Sequence, residues 1–257
     1  MPADVRVPVI SSMMIRFFGL IVRRYFRRHF RSVMAQQVER LESVSGPVVV
    51  YLNHSSWWDP MLSMLLAQVL LPRRKHYGAM DAEALKRYPI LRKVGVFPVE
   101  MASPRGAVEF LRVAEAILRD DGVLWLTPQG RFADAREPLQ FKGGLAALAR
   151  RVPGVTFLPL AVEYTFWDER LPEALARFGE GVGLDASGSA EAITRRLEGA
   201  LKTEMDELKH ASCARDAGKF RVLLAGGRGT GGFYGLVRRL KLTISGKKSD
   251  LDHTRRY

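Results

Sequence analysis

The chain has 257 residues and a formal charge of +13, from 40 lysines and arginines against 27 aspartates and glutamates. That length fits one large domain or one domain with appendages, and the 47% apolar share is enough for a sizeable core. The single cysteine, Cys213, excludes an internal disulfide and fits a reducing compartment. The basic excess calls for an anionic partner, whether nucleic acid, anionic lipid, or an acidic carrier or cofactor. No apolar run reaches the ~20 residues that span a bilayer; PMLSMLLAQVLLP comes nearest and is interrupted by Ser63 and Gln68. No signal-peptide cleavage pattern is evident.

Residues 11–34, SSMMIRFFGLIVRRYFRRHFRSVM, read as a helix. At 100° per residue Met14, Phe17, Phe18, Ile21, Val22, Tyr25 and Phe26 share one face, and Arg16, Arg23, Arg24, Arg27 and Arg31 the other. Leu20 and Arg28 break the pattern. A core helix with a solvated face is one reading; the arginine density and aromatic bulk favour a basic amphipathic helix lying in a membrane interface.

From Gly46 onward strand and helix signals alternate. GPVVVYLN is a buried strand, and DPMLSMLLAQVLL a helix with Asp59 as N-cap and Pro60 at its first position. KHYGAM is a second strand, DAEALKRY a short helix, VGVFPVE a third strand and residues 104–119 a helix. GVLWLTP is a fourth strand, followed by the helix FKGGLAALAR; VTFLPLAVEY is a fifth strand, RFGEGVGL a sixth, and residues 188–210 a helix. Such alternation predicts an α/β fold with a mostly parallel sheet flanked by helices on both faces. Near the end, Gly227, Gly229 and Gly232 satisfy G-x-G-x-x-G. Too little chain follows to finish a dinucleotide-binding unit, so a hinge to a second basic amphipathic helix is the better reading.

The first strand ends on NHSSWWDP. In an open α/β sheet ligands bind beyond the carboxyl ends of the strands, which is where His54 falls. An imidazole is the usual proton acceptor near neutral pH. Asp59, just over a turn away, can accept from its far nitrogen, fix the tautomer and stabilise the imidazolium. No serine or cysteine sits in a nucleophile elbow, so the nucleophile is a substrate hydroxyl. A capping Asp59 and a packed His54 is the competing structural reading. His29, His76, His210 and His253 show no metal-ligand spacing, and no metal is expected.

The rest of the chain weighs on the choice. NHSSWWD resembles motif I, H-x-x-x-x-D, of the glycerolipid acyltransferases, the 1-acylglycerol-3-phosphate acyltransferase (PlsC-like) family. GVFPVE (Gly95 to Glu100) resembles motif II, TPQG (Thr127 to Gly130) motif III and FLPLAV (Phe157 to Val162) motif IV. All lie in family order over roughly residues 45–185. The resemblance implies a PlsC-like acyltransferase sandwich with an N-terminal basic amphipathic helix that docks the membrane. It implies direct acyl transfer: His54, held by Asp59, deprotonates a lipid hydroxyl, which attacks the thioester of an acyl-CoA or acyl-carrier protein without an acyl-enzyme. Asn53, Met80, Gly95, Phe97, Met101, Pro128, Gln129, Gly130, Arg131, Phe132 and Pro159 are the expected substrate-binding positions. No cofactor is expected beyond the acyl donor as co-substrate.

The chain departs from the family at its cations. The lysine of the second strand, the arginine after motif II and the arginine of motif III fall on Met80, Met101 and Phe132, and the motif III glutamate on Gln129. These surround the acceptor's phosphate in the family. Arg131 is displaced by one place, and Arg105 lies four residues past Met101; a shifted arginine does not reproduce bidentate phosphate recognition. The favoured expectation is therefore a neutral or glycosylated lipid acceptor, with a 1-acylglycerol-3-phosphate or other lysophospholipid as the alternative. A non-catalytic membrane-binding protein is a further alternative. Nucleic acid is not an expected partner, since no helix-turn-helix, finger or RNP pattern is present. The expected domains are a membrane-docking segment over 1–44, an acyltransferase domain over 45–212 and a basic Gly-rich extension over 213–257, in a protein peripheral to the membrane on its cytoplasmic face.

Overall fold

The computed structural model describes residues 7–101, 103–184 and 186–226. The G-x-G-x-x-G stretch and the second basic helix expected after it lie outside the described residues. In chain order the elements are α1 (Ser12–His29), β1 (Ser32–Gln36), α2 (Glu39–Glu42), β2 (Val48–Leu52), α3 (Asp59–Leu70), β3 (His76–Asp81) and α4 (Ala82–Arg87). A 3-10 turn (Pro89–Val94) precedes β4 (Val96–Val99), α5 (Pro104–Arg119), β5 (Val123–Leu126) and α6 (Gly144–Arg151). Then come β6 (Thr156–Thr165), β7 (Glu173–Phe178), α7 (Ala190–Ala214) and β8 (Arg221–Ala225).

The strands form one sheet in the order β4-β3-β5-β2-β6-β7-β1-β8. All neighbours are parallel except β6 with β7 and β1 with β8. β2 lies inside, between β5 and β6, and every residue of it is buried. Successive side chains of a strand point to opposite faces, so β2 feeds two cores. Val48, Val50 and Leu52 pack with Val22 and Phe26 of α1 and Leu62, Leu65 and Leu66 of α3. Val49 and Tyr51 pack with Val113 and Ile117 of α5, Leu145 and Leu148 of α6 and Leu197 and Leu201 of α7. Cover on both faces is why VVVYL reads as an unbroken apolar run rather than an alternating one.

The expected α/β class holds, and several elements differ from expectation. The N-terminal helix stops at His29; Phe30 is already extended (φ −124, ψ 150), and Ser32–Gln36 runs as a strand beside β7. Phe30, Val33 and Met34 are buried, so burial in the sheet overrides the helical pattern there. The expected sixth strand lies earlier, at Glu173–Phe178, and only Val182 of the later stretch makes a bridge, to Phe157. β8 completes the far edge against β1. The sheet thus draws strands from both the expected docking segment and the expected C-terminal extension, and α7 runs to Ala214 across the second expected boundary.

In α1 the expected single apolar face divides. Gly19, Val22 and Phe26 turn inward. A Cβ at Gly19 would stand 2.2 Å from Gln68 Oε1, and Gln68 Nε2 donates to the Ile15 carbonyl at 3.1 Å, so the glycine admits α3 at close range. Met13, Phe17 and Leu20 remain exposed, at successive positions of one outer face. Among the described residues no helix is long and apolar enough to cross a membrane.

Candidate active site

The site begins where β2 runs out. Its ladder with β6 ends at Leu52–Leu160, and the side chain of Asn53 takes over. Asn53 Nδ2 donates to the Val162 carbonyl at 3.0 Å, and its Oδ1 accepts from the Val162 N–H at 2.9 Å. Asn53 is 2% exposed. Expected to meet substrate, it ties the end of β2 to the middle of β6 and so fixes the direction in which His54 leaves the sheet.

His54 is held by its backbone as well as its ring. Its carbonyl accepts from Ala133 N–H at 2.8 Å. Its N–H donates to Gln129 Oε1 at 3.4 Å. The loop after β5 therefore docks onto the loop after β2, and Gln129, buried, anchors the His54 backbone.

The turn Ser55–Trp58 brings Asp59 back under the imidazole. His54 Nδ1–H donates to Asp59 Oδ2 at 2.8 Å, the Ser56 N–H donates to the same oxygen at 2.9 Å, and Tyr164 O–H donates to Oδ1 at 2.8 Å. Asp59 is wholly buried and His54 retains 14% side-chain exposure. Asp59 does not cap α3 as expected; Trp58 holds the N-cap position without a side-chain bond. A buried carboxylate is stable only when paired and hydrogen-bonded, and three donors meet that need. Burial, then the charge of Asp59 and its hydrogen bond, push the Tyr164 phenol well above its ordinary range, so it remains a donor. With Nδ1 engaged, Nε2 is the His54 nitrogen left to exchange a proton.

Around this pair stand only some of the expected binding residues. Phe132 lies against the His54 ring, centroids 4.2 Å apart, and is 59% exposed. Gly130 takes a left-handed conformation (φ 63); a Cβ there would lie 2.8 Å from Met101 Cε and 2.9 Å from Lys142 Nζ. Met101 and Gly130 are thus in contact range, with Lys142 over them. Arg131 donates to Glu137 Oε2 at 2.8 Å and to the Phe132 carbonyl at 3.1 Å, so it is committed to its own loop. Arg105 is exposed in the first turn of α5. Met80 is half-buried on β3, opposite Pro98 in register.

Other expected residues serve the fold. Gly95 (φ 93) ends the 3-10 turn, where a Cβ would meet the His76 carbonyl at 2.3 Å. Phe97 is buried and stacked with Phe110. Pro128 is buried, and its carbonyl accepts from Lys142 N–H. Pro159 lies inside the sheet opposite Tyr51. Two residues went unforeseen. Tyr164 shares the face of Leu158, Leu160 and Val162 on β6, so strand alternation marks it as pointing toward α3. Lys142 carried no signal beyond its place two residues before α6. Among the described residues no group of three or more histidines, cysteines or acids could hold a metal ion.

A family model for acyltransferases matches residues 8–163. No curated protein matches the chain. Among solved structures, the crystal structure of the 1-acyl-sn-glycerophosphate (LPA) acyltransferase PlsC from Thermotoga maritima is similar, with a TM-score of 0.57 at 20% identity, over 76% of this chain and 80% of that one. That likeness is one of fold. The matched segment runs from the N-terminal helix into β6, so it contains His54, Asp59 and the motif III loop together, and on that ground the chain belongs to the Acyltransferase family and is an O-acyltransferase of PlsC-like fold.

Proposed function

We propose that the protein moves a fatty acyl group from an acyl-CoA or acyl-carrier-protein thioester to the hydroxyl of a neutral or glycosylated lipid, at a membrane surface. His54 Nε2 takes the hydroxyl proton as the oxygen attacks the thioester carbon. The C–S bond breaks, and the imidazolium returns the proton to the departing thiolate. Asp59 holds the imidazole and balances its charge meanwhile. The observation that carries the chemistry is the 2.8 Å contact of His54 Nδ1 with a buried, otherwise hydrogen-bonded Asp59. No side-chain nucleophile is needed, because the substrate supplies one.

The choice of a neutral acceptor rests on what stands near His54. Phe132 offers apolar contact at the His54 ring and Met101 at Gly130 of the adjoining loop, and Arg131 of that loop is paired with Glu137. A phosphomonoester would lose hydration there without the Arg131 guanidinium to receive it. One observation favours the alternative, a 1-acylglycerol-3-phosphate or other lysophospholipid. Lys142 Nζ approaches Gly130 and makes no ion pair among the described residues. The titled activity of the Thermotoga protein points the same way.

The proposed location is the cytoplasmic face of a membrane, held peripherally. Exposed Met13, Phe17 and Leu20 on α1, with exposed Arg16, Arg24, Arg27 and Arg28, support it. Such a helix buries apolar side chains in the headgroup boundary while arginines meet anionic lipid. The experiment is direct. Purified protein is given a labelled acyl thioester and a total lipid extract, and mass spectrometry identifies the lipid that becomes acylated. An acylated neutral lipid supports the proposal; label in lysophospholipid products alone favours the alternative.

A further inference from the structure

We propose that Tyr164 is a positioning residue for acyl transfer: its hydroxyl fixes the second oxygen of Asp59, and Asp59 so fixed keeps the His54 imidazole in its working orientation. The inference rests on the reading that His54 is the base. Asp59 is fully buried, and each of its oxygens has its own donors. Oδ2 takes His54 and the Ser56 N–H. Oδ1 takes Tyr164 at 2.8 Å, from a residue 105 positions away. Rotation of the carboxylate would carry Oδ2 away from the imidazole, and with donors on both oxygens that rotation breaks three bonds at once. Without the phenol, a buried anionic oxygen would be left with no partner among the described residues, which is a costly state.

Tyr164 is itself held. It sits on β6, an inner strand, and its ring lies 5.7 Å from that of Phe30 at the end of α1. Phe30 meets Trp58, the residue before Asp59, edge-on at 4.8 Å. The hydroxyl therefore comes from a rigid strand and a packed ring rather than from a loop. The only ion pair of Asp59 among the described residues is with His54; the phenol and the Ser56 N–H are the neutral donors that share its charge, and the phenol alone serves Oδ1.

The test compares the full-length wild type, Tyr164→Phe, Phe30→Leu and His54→Ala, with thioester consumption as the readout. Tyr164→Phe keeps the ring and its packing. It is expected to lower kcat by about 10–100-fold with KM for both substrates unchanged, and to move the acid limb of kcat/KM to higher pH, because Asp59 then holds the imidazolium proton more strongly. Phe30→Leu, which loosens the ring but keeps the hydroxyl, is expected to lower kcat by a smaller factor, again at constant KM. A lower melting temperature with unchanged kcat and unchanged pH profile in both variants would make Tyr164 merely structural and overturn the proposal. If His54→Ala itself stays active, the base assignment has failed; if it is inactive while Tyr164→Phe behaves as wild type, only the positioning role has.

Discussion

Phe132 rests on the imidazole of His54, ring centroids 4.2 Å apart and tilted by 39°. In the family pattern that position carries an arginine, so the ring replaces a charge beside the base with an apolar wall. Two unit charges about 4 Å apart repel by roughly 1–4 kcal/mol between water-like and surface dielectric. Phe132→Arg alone should therefore disfavour the imidazolium formed during transfer and lower kcat by about tenfold. Phe132→Leu, apolar and uncharged, should retain most activity. Steady-state kinetics on both variants decide it; an active Phe132→Arg would mean the guanidinium turns away from the ring.

Acceptor choice is the second expectation. The wild type should show a higher kcat/KM for a neutral hydroxyl lipid than for lysophosphatidic acid. Lys142→Ala should weaken only the phosphorylated acceptor, by about 10–150-fold, since one charged hydrogen bond contributes roughly 1.5–3 kcal/mol. A wild-type ratio that favours lysophosphatidic acid would sink the neutral-acceptor reading. An equal loss for both acceptors would instead place Lys142 on the donor.

Membrane association should depend on the outer face of α1. Removing the chain up to Gln36 is not a clean test, because it deletes β1 from the sheet and Phe26 and Phe30 from the core. Phe17→Asp with Leu20→Asp, both exposed, leaves the core intact. Each buried large apolar side chain contributes about 1.5–3 kcal/mol, so the double variant should bind anionic liposomes at least tenfold more weakly at an unchanged melting temperature. Unchanged sedimentation with liposomes would leave the stripe without that role.

What the sequence reveals and what it hides divides by distance along the chain. His54 and Asp59 are legible because five residues and one turn bring them together. Tyr164 reaches Asp59 across 105 positions, and Asn53 clamps Val162 across 109. No local pattern encodes either pairing. β1 was hidden for a different reason: its neighbours carry a strong helical period, and only burial beside β7 makes it a strand. The buried inner strands, by contrast, announce themselves as short β-branched runs.

His76 gives a pH signature. It is half-buried as a neutral ring: Nε2–H donates to the Leu71 carbonyl at 2.8 Å, and Nδ1 accepts from Trp125 Nε1–H at 3.1 Å. Burial lowers its pKa from 6.5 to about 4. The unfolded chain then binds the extra proton first, so the contribution is present above pH 6.5 and is lost as pH falls toward 4. Its size is about 3 kcal/mol at most. Glu173, raised by burial, acts with the opposite sign, its contribution being lost as pH rises. Urea unfolding from pH 7 to pH 4 should show a shallower fall for His76→Gln than for the wild type; parallel curves would contradict the assignment.

The central claim is that His54, held by Asp59, is the base of a direct acyl transfer. It is tested by the turnover number of His54→Ala, with a labelled acyl thioester and the acceptor identified for the wild type. The side chain lies at a strand end and is partly exposed, so the variant should keep its fold by circular dichroism. Its kcat should fall by about 10²–10⁴, with no labelled protein trapped. Retention of more than about a tenth of the wild-type rate, or an acyl group bound covalently to the chain, would contradict the account.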